Sequence, residues 1–442
     1  MGTACDLRDG GGLTVMPGPV TIAVLGTGAR GSVYAGFAER FPDRARVVAV
    51  ADPRADRRDA LADQLAVPTG RRFGDWRELA EQPRLADAVL VATPDREHAV
   101  PAARFADLGY HVLLEKPIAP TPAECVETVR AVEQAGVILA VCHVMRYTPY
   151  TEAVMRVVAA GRLGQMIGVE HLEPIGWWHF AHSYVRGNWR RSDAAGPSLL
   201  TKCCHDLDWL RYLVGRPAVS VSSHGGLHHF TAANQPDGAA DRCLDCAVEP
   251  ACPYSATRLY LGYLGDPKRK SWPLSVVTTD MTEAGVRKAL REGPYGRCVY
   301  ACDNDVADHQ VVTVEFDGGV TATLTMSAFT PYGRRRTRVM GTRAFLEGDG
   351  HQVTVTDFVT GRAEQVEVAS PGTDPGYGHG GGDFGVIGAF VDAVASGDRS
   401  LICTGPRESL DSHLMAFAAE RSRLTGEPVR VSGVTPSAWP GS

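Results

Sequence analysis

The chain has 442 residues, of which 44% are hydrophobic and 22% charged, and its formal net charge is −6. Because single cores stop growing near ~250–300 residues, this length predicts two globular domains. The acidic balance excludes a broad basic surface, so we expect neither a nucleic-acid nor a membrane partner. The absence of a bilayer-spanning apolar run and of a secretory start predicts a cytoplasmic protein.

The N-terminal part of the chain predicts a dinucleotide-binding turn. Residues 1–19 are rich in Gly and predict a disordered tail. From Thr21, an apolar run, a glycine turn, a helical stretch and a second apolar run follow one another as in a βαβ unit. The turn spaces Gly26, Gly28 and Gly31 as G-x-G-x-x-G. In that spacing the first glycine permits the turn, the second admits a pyrophosphate, and the third packs helix on strand.

Asp52 bears on the choice between NAD and NADP. It follows the second apolar run, about twenty residues after the glycines, where a carboxylate can accept both ribose hydroxyls and repel a 2′-phosphate. This favours NAD. Arg54, with Arg57 and Arg58 beside it, could instead hold a 2′-phosphate, so NADP stays open.

Strands and helices continue to alternate up to residue 143. The apolar runs "ADAVLVATP", "YHVLLEKP" and "VILAVCHV" are separated by helix-like segments, which predicts a parallel, doubly wound sheet. Ligands of such sheets lie at the carboxyl ends of the strands. We therefore expect Thr93, Pro94, Glu115 and Lys116 at the cofactor edge of a Rossmann domain covering residues 20–143.

Several motifs together resemble those of the Gfo/Idh/MocA oxidoreductases. They are "VLGTGARGS", "VATPDREH", "HVLLEKP", "RYTPY" and "GPSLLTKCCHDLDWLRYLVG". The resemblance implies a C-terminal α/β domain, residues 144–442, with a large, mainly antiparallel open sheet. It also implies oxidation or reduction of sugars, cyclitols or related polyols with NAD(P), and a homodimer or homotetramer.

The same resemblance identifies two catalytic candidates. Lys116, in "EKP", would lie beside the nicotinamide and the reacting hydroxyl, where an ammonium can stabilise a developing alkoxide. His205 matches the family's acid/base histidine, although it could equally be a helix-packing residue. The family pattern has an aspartate four residues before this histidine. Here that residue is Thr201, which cannot act as a carboxylate base.

We expect cofactor contacts from the turn, the strand ends and the family motifs: Gly26, Gly28, Ala29, Arg30, Gly31, Asp52, Arg54, Thr93, Pro94, His98, Glu115 and Lys116. Substrate contacts are expected from segments dense in aromatic and histidine residues: His143, Tyr147, His179, Arg190, Thr201 and Lys202. Those segments could instead form a surface that joins the domains, and Lys202 could simply pair with Asp206.

Cysteines mark a long segment of the second domain. Cys243, Cys246 and Cys252, with Cys302 (or Cys298) as a fourth thiolate, predict a structural zinc site, and reduced buried thiols are the alternative. The surrounding stretch, about residues 225–294, is rich in Pro, Gly and charge. We interpret it as an insertion over the mouth of the active site.

Three functions agree with these features. The first is hydride transfer between a sugar, cyclitol or related polyol and NAD(P). The second is a redox-neutral, NAD-dependent glycosidase that works by transient oxidation and elimination, for which Thr201 is an argument. The third is a non-catalytic NAD-binding sensor. Net NADH formation separates the first from the second, and turnover of any carbohydrate excludes the third.

Overall fold

The computed structural model of the chain describes residues 18–370 and 379–434. Residues 1–17 of the predicted tail lie outside the described residues. No helix within the described ranges is long and apolar enough to cross a membrane.

The first sheet consists of six parallel strands: β1 (Val20–Leu25), β2 (Ala45–Ala51), β3 (Arg72–Phe73), β4 (Ala88–Val91), β5 (His111–Leu114) and β6 (Leu139–Val141). Their order is β3-β2-β1-β4-β5-β6. Strands β1 and β4 are almost wholly buried, because helices cover both faces of the sheet. The order reverses between β1 and β4, which opens a crevice at the carboxyl ends of these strands. The predicted doubly wound sheet is confirmed.

Five helices connect these strands: α1 (Ala29–Arg40), α2 (Ala55–Gln64), α3 (Trp76–Ala80), α4 (Ala99–Asp107) and α5 (Pro122–Ala135). Local signals set the ends of α5. The Thr121 side chain accepts a hydrogen bond from the Glu124 amide at its start, and Gly136 ends it with a φ of 66°.

The second sheet has nine strands: β7 (Met166–Pro174), β8 (Ala218–Gly226), β9 (His309–Phe316), β10 (Thr321–Ser327), β11 (Arg336–Gly341), β12 (Ala344–Gly348), β13 (Val353–Asp357), β14 (Ala363–Val366) and β15 (Val429–Arg430). Their order is β14-β13-β12-β11-β7-β10-β9-β8-β15. Among the described strands of this sheet, only β7 and β10 pair in parallel. Strand β9 alternates exposed and buried residues, so one face of the sheet packs on helices while the other stays open. The predicted, mainly antiparallel open sheet is confirmed.

Ten more helices follow among the described residues: α6 (Pro149–Ala159), α7 (Trp177–Phe180), α8 (Ser192–Ala195), α9 (Ser198–Val214), α10 (Ala256–Gly262), α11 (Pro267–Arg269), α12 (Ser275–Val277), α13 (Glu283–Glu292), α14 (Gly382–Ser396) and α15 (Pro406–Thr425). Helix α7 continues into a π-helical segment, Ala181–Arg186. Helix α14 returns to the first sheet, where the Phe384 ring meets Phe37 of α1 edge-on at 5.6 Å. The chain's late helices thus complete the core of its first domain.

The segment between β8 and β9 carries helices α10 to α13 around a small apolar core. Ala256, Tyr260, Leu274 and Leu290 are each no more than 1% exposed. This core docks on the π-helical segment, where a His182 ring nitrogen and the Tyr260 hydroxyl lie 2.8 Å apart. The insertion is therefore packed against the elements that follow β7.

His413 of α15 supports the strand ends of the first sheet. Its Nδ1 donates to the Ser409 carbonyl at 2.6 Å, and its Nε2 accepts from the Ile118 amide at 2.9 Å. This pair of bonds requires the neutral imidazole. Burial, aided by nearby His143, lowers the pKa of His413 to about 3.

We expect the free energy of unfolding to fall as the pH drops from 7 to 5. In the unfolded chain His413 is protonated near its ordinary pKa of about 6.5, whereas in the folded chain it stays neutral. Its protonation on unfolding therefore lowers the free energy of unfolding by about 2 kcal/mol at pH 5. Denaturant unfolding at several pH values measures the slope. His413→Gln, which cannot titrate, should reduce it, and an equal slope in both proteins would contradict the assignment.

Candidate active site

The glycine turn leaves open space at the start of α1. A Cβ on Gly26, whose φ is 86°, would lie 2.4 Å from the Ala92 carbonyl oxygen, and one on Gly31 would lie 1.9 Å from that of Gly26. At Gly28, where φ is −69°, the nearest atom to such a Cβ is Arg57 Nη1 at 3.9 Å. Gly26 and Gly31 are thus required by the fold itself, whereas Gly28 keeps the helix N-terminus accessible. The turn therefore fits a pyrophosphate.

Asp52 is fixed beside this turn at the end of β2. Its Oδ2 accepts from the Thr27 amide at 2.7 Å, and its Oδ1 accepts from the Arg54 amide at 2.8 Å. The guanidinium of Arg54 is paired with Asp56 at 2.8 Å. The Arg58 guanidinium likewise contacts a neighbouring carboxylate at 3.0 Å. Two of the three arginines that could bind a 2′-phosphate therefore already have carboxylate partners.

His98 fixes the carboxyl ends of β4 and β5 relative to each other. One ring nitrogen lies 2.8 Å from the Thr93 carbonyl oxygen and the other 2.6 Å from that of Pro117. The side chain is almost fully buried. We had expected His98 among the cofactor contacts, and the structure places it beneath the loops that carry Thr93, Pro94 and Lys116.

Glu115 and Arg30 form a buried ionic network with α14. Arg30 Nε contacts Glu115 Oε1 at 2.7 Å, and its Nη2 contacts Asp383 Oδ1 at 2.7 Å. Burial opposes ionisation of Glu115, but the charges of Arg30 and Lys116 outweigh it and hold the pKa of Glu115 below its usual value. Both residues were predicted to contact the cofactor. Their charged groups bind within the protein: Arg30 is the second residue of α1, and Glu115 directly follows β5.

Lys116 contacts α9 one helical turn before His205. The Lys116 Nζ donates to the Thr201 carbonyl oxygen at 2.7 Å. The Thr201 hydroxyl bonds to the Pro197 carbonyl at 3.3 Å, so it is engaged by its own helix. His205 lies one turn later and is 8% exposed. Burial, with the charge of Lys116, lowers its pKa well below the usual value, so its imidazole is neutral at pH 7.

A row of histidines extends from His205. Its ring centroid is 5.7 Å from that of His143, which in turn is 5.4 Å from that of His413. His143 is completely buried, and neither of its ring nitrogens has a hydrogen-bond partner among the described residues. Burial lowers its pKa well below normal. His205 Nδ1 is likewise unpartnered within this part of the chain, so polar atoms remain available for a ligand.

Lys202 pairs with a different residue from Asp206, the partner that the sequence suggested. Its Nζ pairs with Glu173 of β7 at 3.3 Å rather than with Asp206. Arg335 joins the same network, contacting Glu173 at 2.9 Å and Asp206 at 2.5 Å. The two cations and two carboxylates balance one another beneath the candidate site.

The other predicted substrate residues divide into two groups. His179 is half-buried, and its ring meets that of Trp272 from the insertion edge-on at 4.9 Å. Burial, with the charge of Lys202, lowers the pKa of His179. Tyr147 instead bonds through its hydroxyl to Thr404 Oγ1 at 3.0 Å, and Arg190 pairs with Asp303 at 2.9 Å. The last two side chains therefore have structural partners.

The predicted zinc site is not supported. Within residues 18–370 and 379–434, no three His, Cys, Asp or Glu side chains are arranged to hold a metal. Cys302 Sγ donates instead to the Cys298 carbonyl at 3.2 Å. Cys243, Cys246 and Cys252 line a cavity of about 20 Å³ whose fourth cysteine is Cys298. These cysteines are free thiols, as in the alternative interpretation.

Several residues of the site escaped the sequence analysis. Asp95, next to the predicted Pro94, accepts from the Trp189 Nε1 at 2.8 Å. In the sequence, only its position in the motif "VATPDREH" indicated that Asp95 belongs to the site. Asp383 and His413 contact the site from late helices, hundreds of residues away along the chain, and no local pattern marks them.

Comparison with known proteins agrees with this geometry. A family model described as "Oxidoreductase family, NAD-binding Rossmann fold" matches residues 20–143, and one described as "Oxidoreductase family, C-terminal alpha/beta domain" matches residues 156–431. An oxidoreductase domain protein from Kribbella flavida has a similar fold, with a TM-score of 0.69 and 19% identity, covering 94% of this chain and 100% of the other.

Two curated relatives are similar in sequence. The 2,7-anhydro-N-acetylneuraminate hydratase of Escherichia coli is 27% identical, over 47% of this chain and 53% of its own length. The scyllo-inositol 2-dehydrogenase (NAD(+)) of Bacillus subtilis is 29% identical, over 47% of this chain and 57% of its own length. The chain thus spans little more than half the length of these relatives.

The glycine turn yields a matched pair of variants. We expect Gly28→Ala to fold normally, with stability unchanged or raised by about 0.4–1 kcal/mol, because its backbone accepts alanine. Its methyl group should nevertheless weaken NADH binding at least about tenfold by occupying the pyrophosphate's approach. Gly31→Ala should fail to fold or melt far earlier. Thermal melting and NADH fluorescence titration test both, and wild-type NADH affinity in Gly28→Ala would refute the turn's role.

Proposed function

The chain belongs to the Gfo/Idh/MocA oxidoreductase family, whose two domain models together match more than half of it, and we propose that it transfers a hydride between a sugar, cyclitol or related polyol and NAD. The observation that carries the proposal is the bond of Lys116 to α9 one helical turn before His205. A cation and a neutral, buried imidazole converge on the first turns of α9, beside the carboxyl ends of β4 and β5.

Each of these side chains has a task in oxidising a hydroxyl. His205, neutral at pH 7, accepts the hydroxyl proton, since its depressed pKa leaves a free nitrogen lone pair. Lys116 donates to the substrate oxygen and stabilises the negative charge that develops there. Its bond to the Thr201 carbonyl aims the ammonium at this position. Bound nicotinamide supplies the hydride acceptor at its C4 atom.

NAD is the cofactor we propose. Asp52 is held by two backbone amides with its carboxylate at the end of β2, where it can accept the ribose hydroxyls. Arg54, which could bind a 2′-phosphate, is paired with Asp56. The Rossmann match and the NAD-dependent inositol dehydrogenase among the relatives support the same choice.

Small polyhydroxylated molecules are the substrate class we propose. The inositol dehydrogenase relative supports a cyclitol or sugar, and the His179–Trp272 contact offers an aromatic wall near α9. For the assembly we propose a homodimer or homotetramer, which the open face of the nine-stranded sheet supports. Val311 on that face is 43% exposed.

One observation favours a second candidate, redox-neutral elimination. One turn before His205, Thr201 has a hydroxyl bound to the backbone where an aspartate would have a carboxylate. A relative whose name describes a hydratase of an anhydro sugar also supports this chemistry. In this second candidate, the same Lys116 and His205 act, but the hydride returns to the substrate within each turnover.

A panel of monosaccharides, cyclitols and aryl glycosides tests the proposal when NADH absorbance and released aglycone are both followed. We expect NADH to accumulate with at least one polyol. Lys116→Met should lower kcat at least about a hundredfold, because the charge that stabilises the oxyanion is lost. Aglycone release without net NADH would favour the second candidate.

Lys288 of α13, which is exposed, provides the matched control. Lys288→Met should keep wild-type turnover. Equal activity in Lys116→Met and Lys288→Met would contradict the assignment of Lys116.

A further inference from the structure

Asp95 lies at the same sheet edge as Lys116. It follows the end of β4, and Lys116 follows the end of the adjacent strand β5, with Val91 and Leu114 in register. His98 bonds to carbonyls on both loops, which fixes their separation. Asp95 is the first residue of a three-residue 3-10 turn, Asp95–Glu97, whose N-cap is Pro94.

A tryptophan from the second domain holds this carboxylate. The Trp189 Nε1 donates to Asp95 Oδ2 at 2.8 Å. The Trp189 ring lies at 28° to that of Tyr184, with centroids 6.0 Å apart. The Tyr184 hydroxyl contacts the Thr201 side chain, and the Thr201 carbonyl receives the Lys116 bond. A series of contacts thus connects Asp95 with Lys116.

Next to Asp95, the Arg96 Nε donates to the Ala194 carbonyl oxygen at 2.8 Å. The loop is therefore tied to the second domain at two successive residues. This double tie leaves the Asp95 carboxylate little freedom to turn toward solvent.

The charged and titratable groups that face Asp95 come from three elements. His98 lies in its own loop, Glu115 and Lys116 follow β5, and Tyr184 belongs to the π-helical segment. Burial raises the pKa of Asp95, and the positive charges of His98 and Lys116 offset only part of this rise. Among the described residues, no carboxylate is in ion-pair contact with Lys116.

We propose that Asp95 is a positioning residue for Lys116, and that its carboxylate, held by Trp189, balances the ammonium charge across the site. Protonation of Asp95 removes that balance and reduces turnover. The effect on turnover rests on the proposed function, whereas the coupling between the two charges does not.

Tryptophan fluorescence of the cofactor-free protein tests the coupling. The indole of Trp189 reports on its bonded carboxylate, so we expect an emission step on acidification, with a midpoint above the ordinary Asp value of about 3.9. Asp95→Asn keeps an oxygen for the indole N–H but cannot ionise, and Trp189→Phe keeps the ring but lacks the donor. Both should abolish the step.

The fluorescence midpoint of Lys116→Met is the decisive measurement. Removing the positive charge should raise the midpoint by about one pH unit, since an opposite charge nearby favours the ionised carboxylate. A midpoint unchanged in Lys116→Met, or a step that persists in Asp95→Asn, would overturn the coupling. Asp193→Asn, at an exposed carboxylate paired with Arg191, is the matched control and should behave as wild type.

The activity arm uses whichever polyol the panel identifies. In the wild type, kcat should fall at the pH of the fluorescence step. In Asp95→Asn it should be lower by about tenfold and should lack this break, while KM stays within about twofold. A break that survives in Asp95→Asn would overturn the positioning role. If no polyol is turned over, the proposed function fails, while the fluorescence arm still decides the coupling.

Discussion

The hydrogen bond from the Lys116 ammonium to the Thr201 carbonyl is the contact on which the rest of the candidate site depends. It joins the end of β5 in the first sheet to α9 in the second domain over 2.7 Å. Burying a cation is costly unless polar groups receive it, so this carbonyl both stabilises Lys116 and fixes its direction. His205 lies one helical turn further on and is thereby brought beside the same ammonium. The site exists only when both domains are assembled.

Burial then determines what each group can do. His205 and His143 are kept neutral because the interior penalises their charged forms. Glu115 stays ionised in an equally buried place, since Arg30 and Lys116 compensate it. The protonation states on which the proposed reaction depends are therefore set by how these ordinary side chains are packed. At half-buried Asp95 the penalty of burial is only partly offset, so the pKa of its carboxylate is raised.

The sequence predicted those features that local contacts decide. Gly26 and Gly31 are required by backbone atoms a few ångströms away, so their spacing was sufficient to predict the turn. The alternation of exposed and buried residues along β9 is likewise a local pattern, since neighbouring side chains of a strand point to opposite faces. Contacts between distant segments could not be predicted. The Arg30–Asp383 pair spans 353 residues, and the pairing of Lys202 with Glu173 depends on how α9 crosses β7.

Transfer of hydrogen from substrate carbon to the nicotinamide tests the central claim most directly. A polyol deuterated at the reacting carbon, incubated with the protein and NAD, should place deuterium on C4 of the nicotinamide, detected by NMR or mass spectrometry. In the redox-neutral case the label should appear there transiently, on bound cofactor. Turnover that leaves the nicotinamide unlabelled throughout would contradict the account.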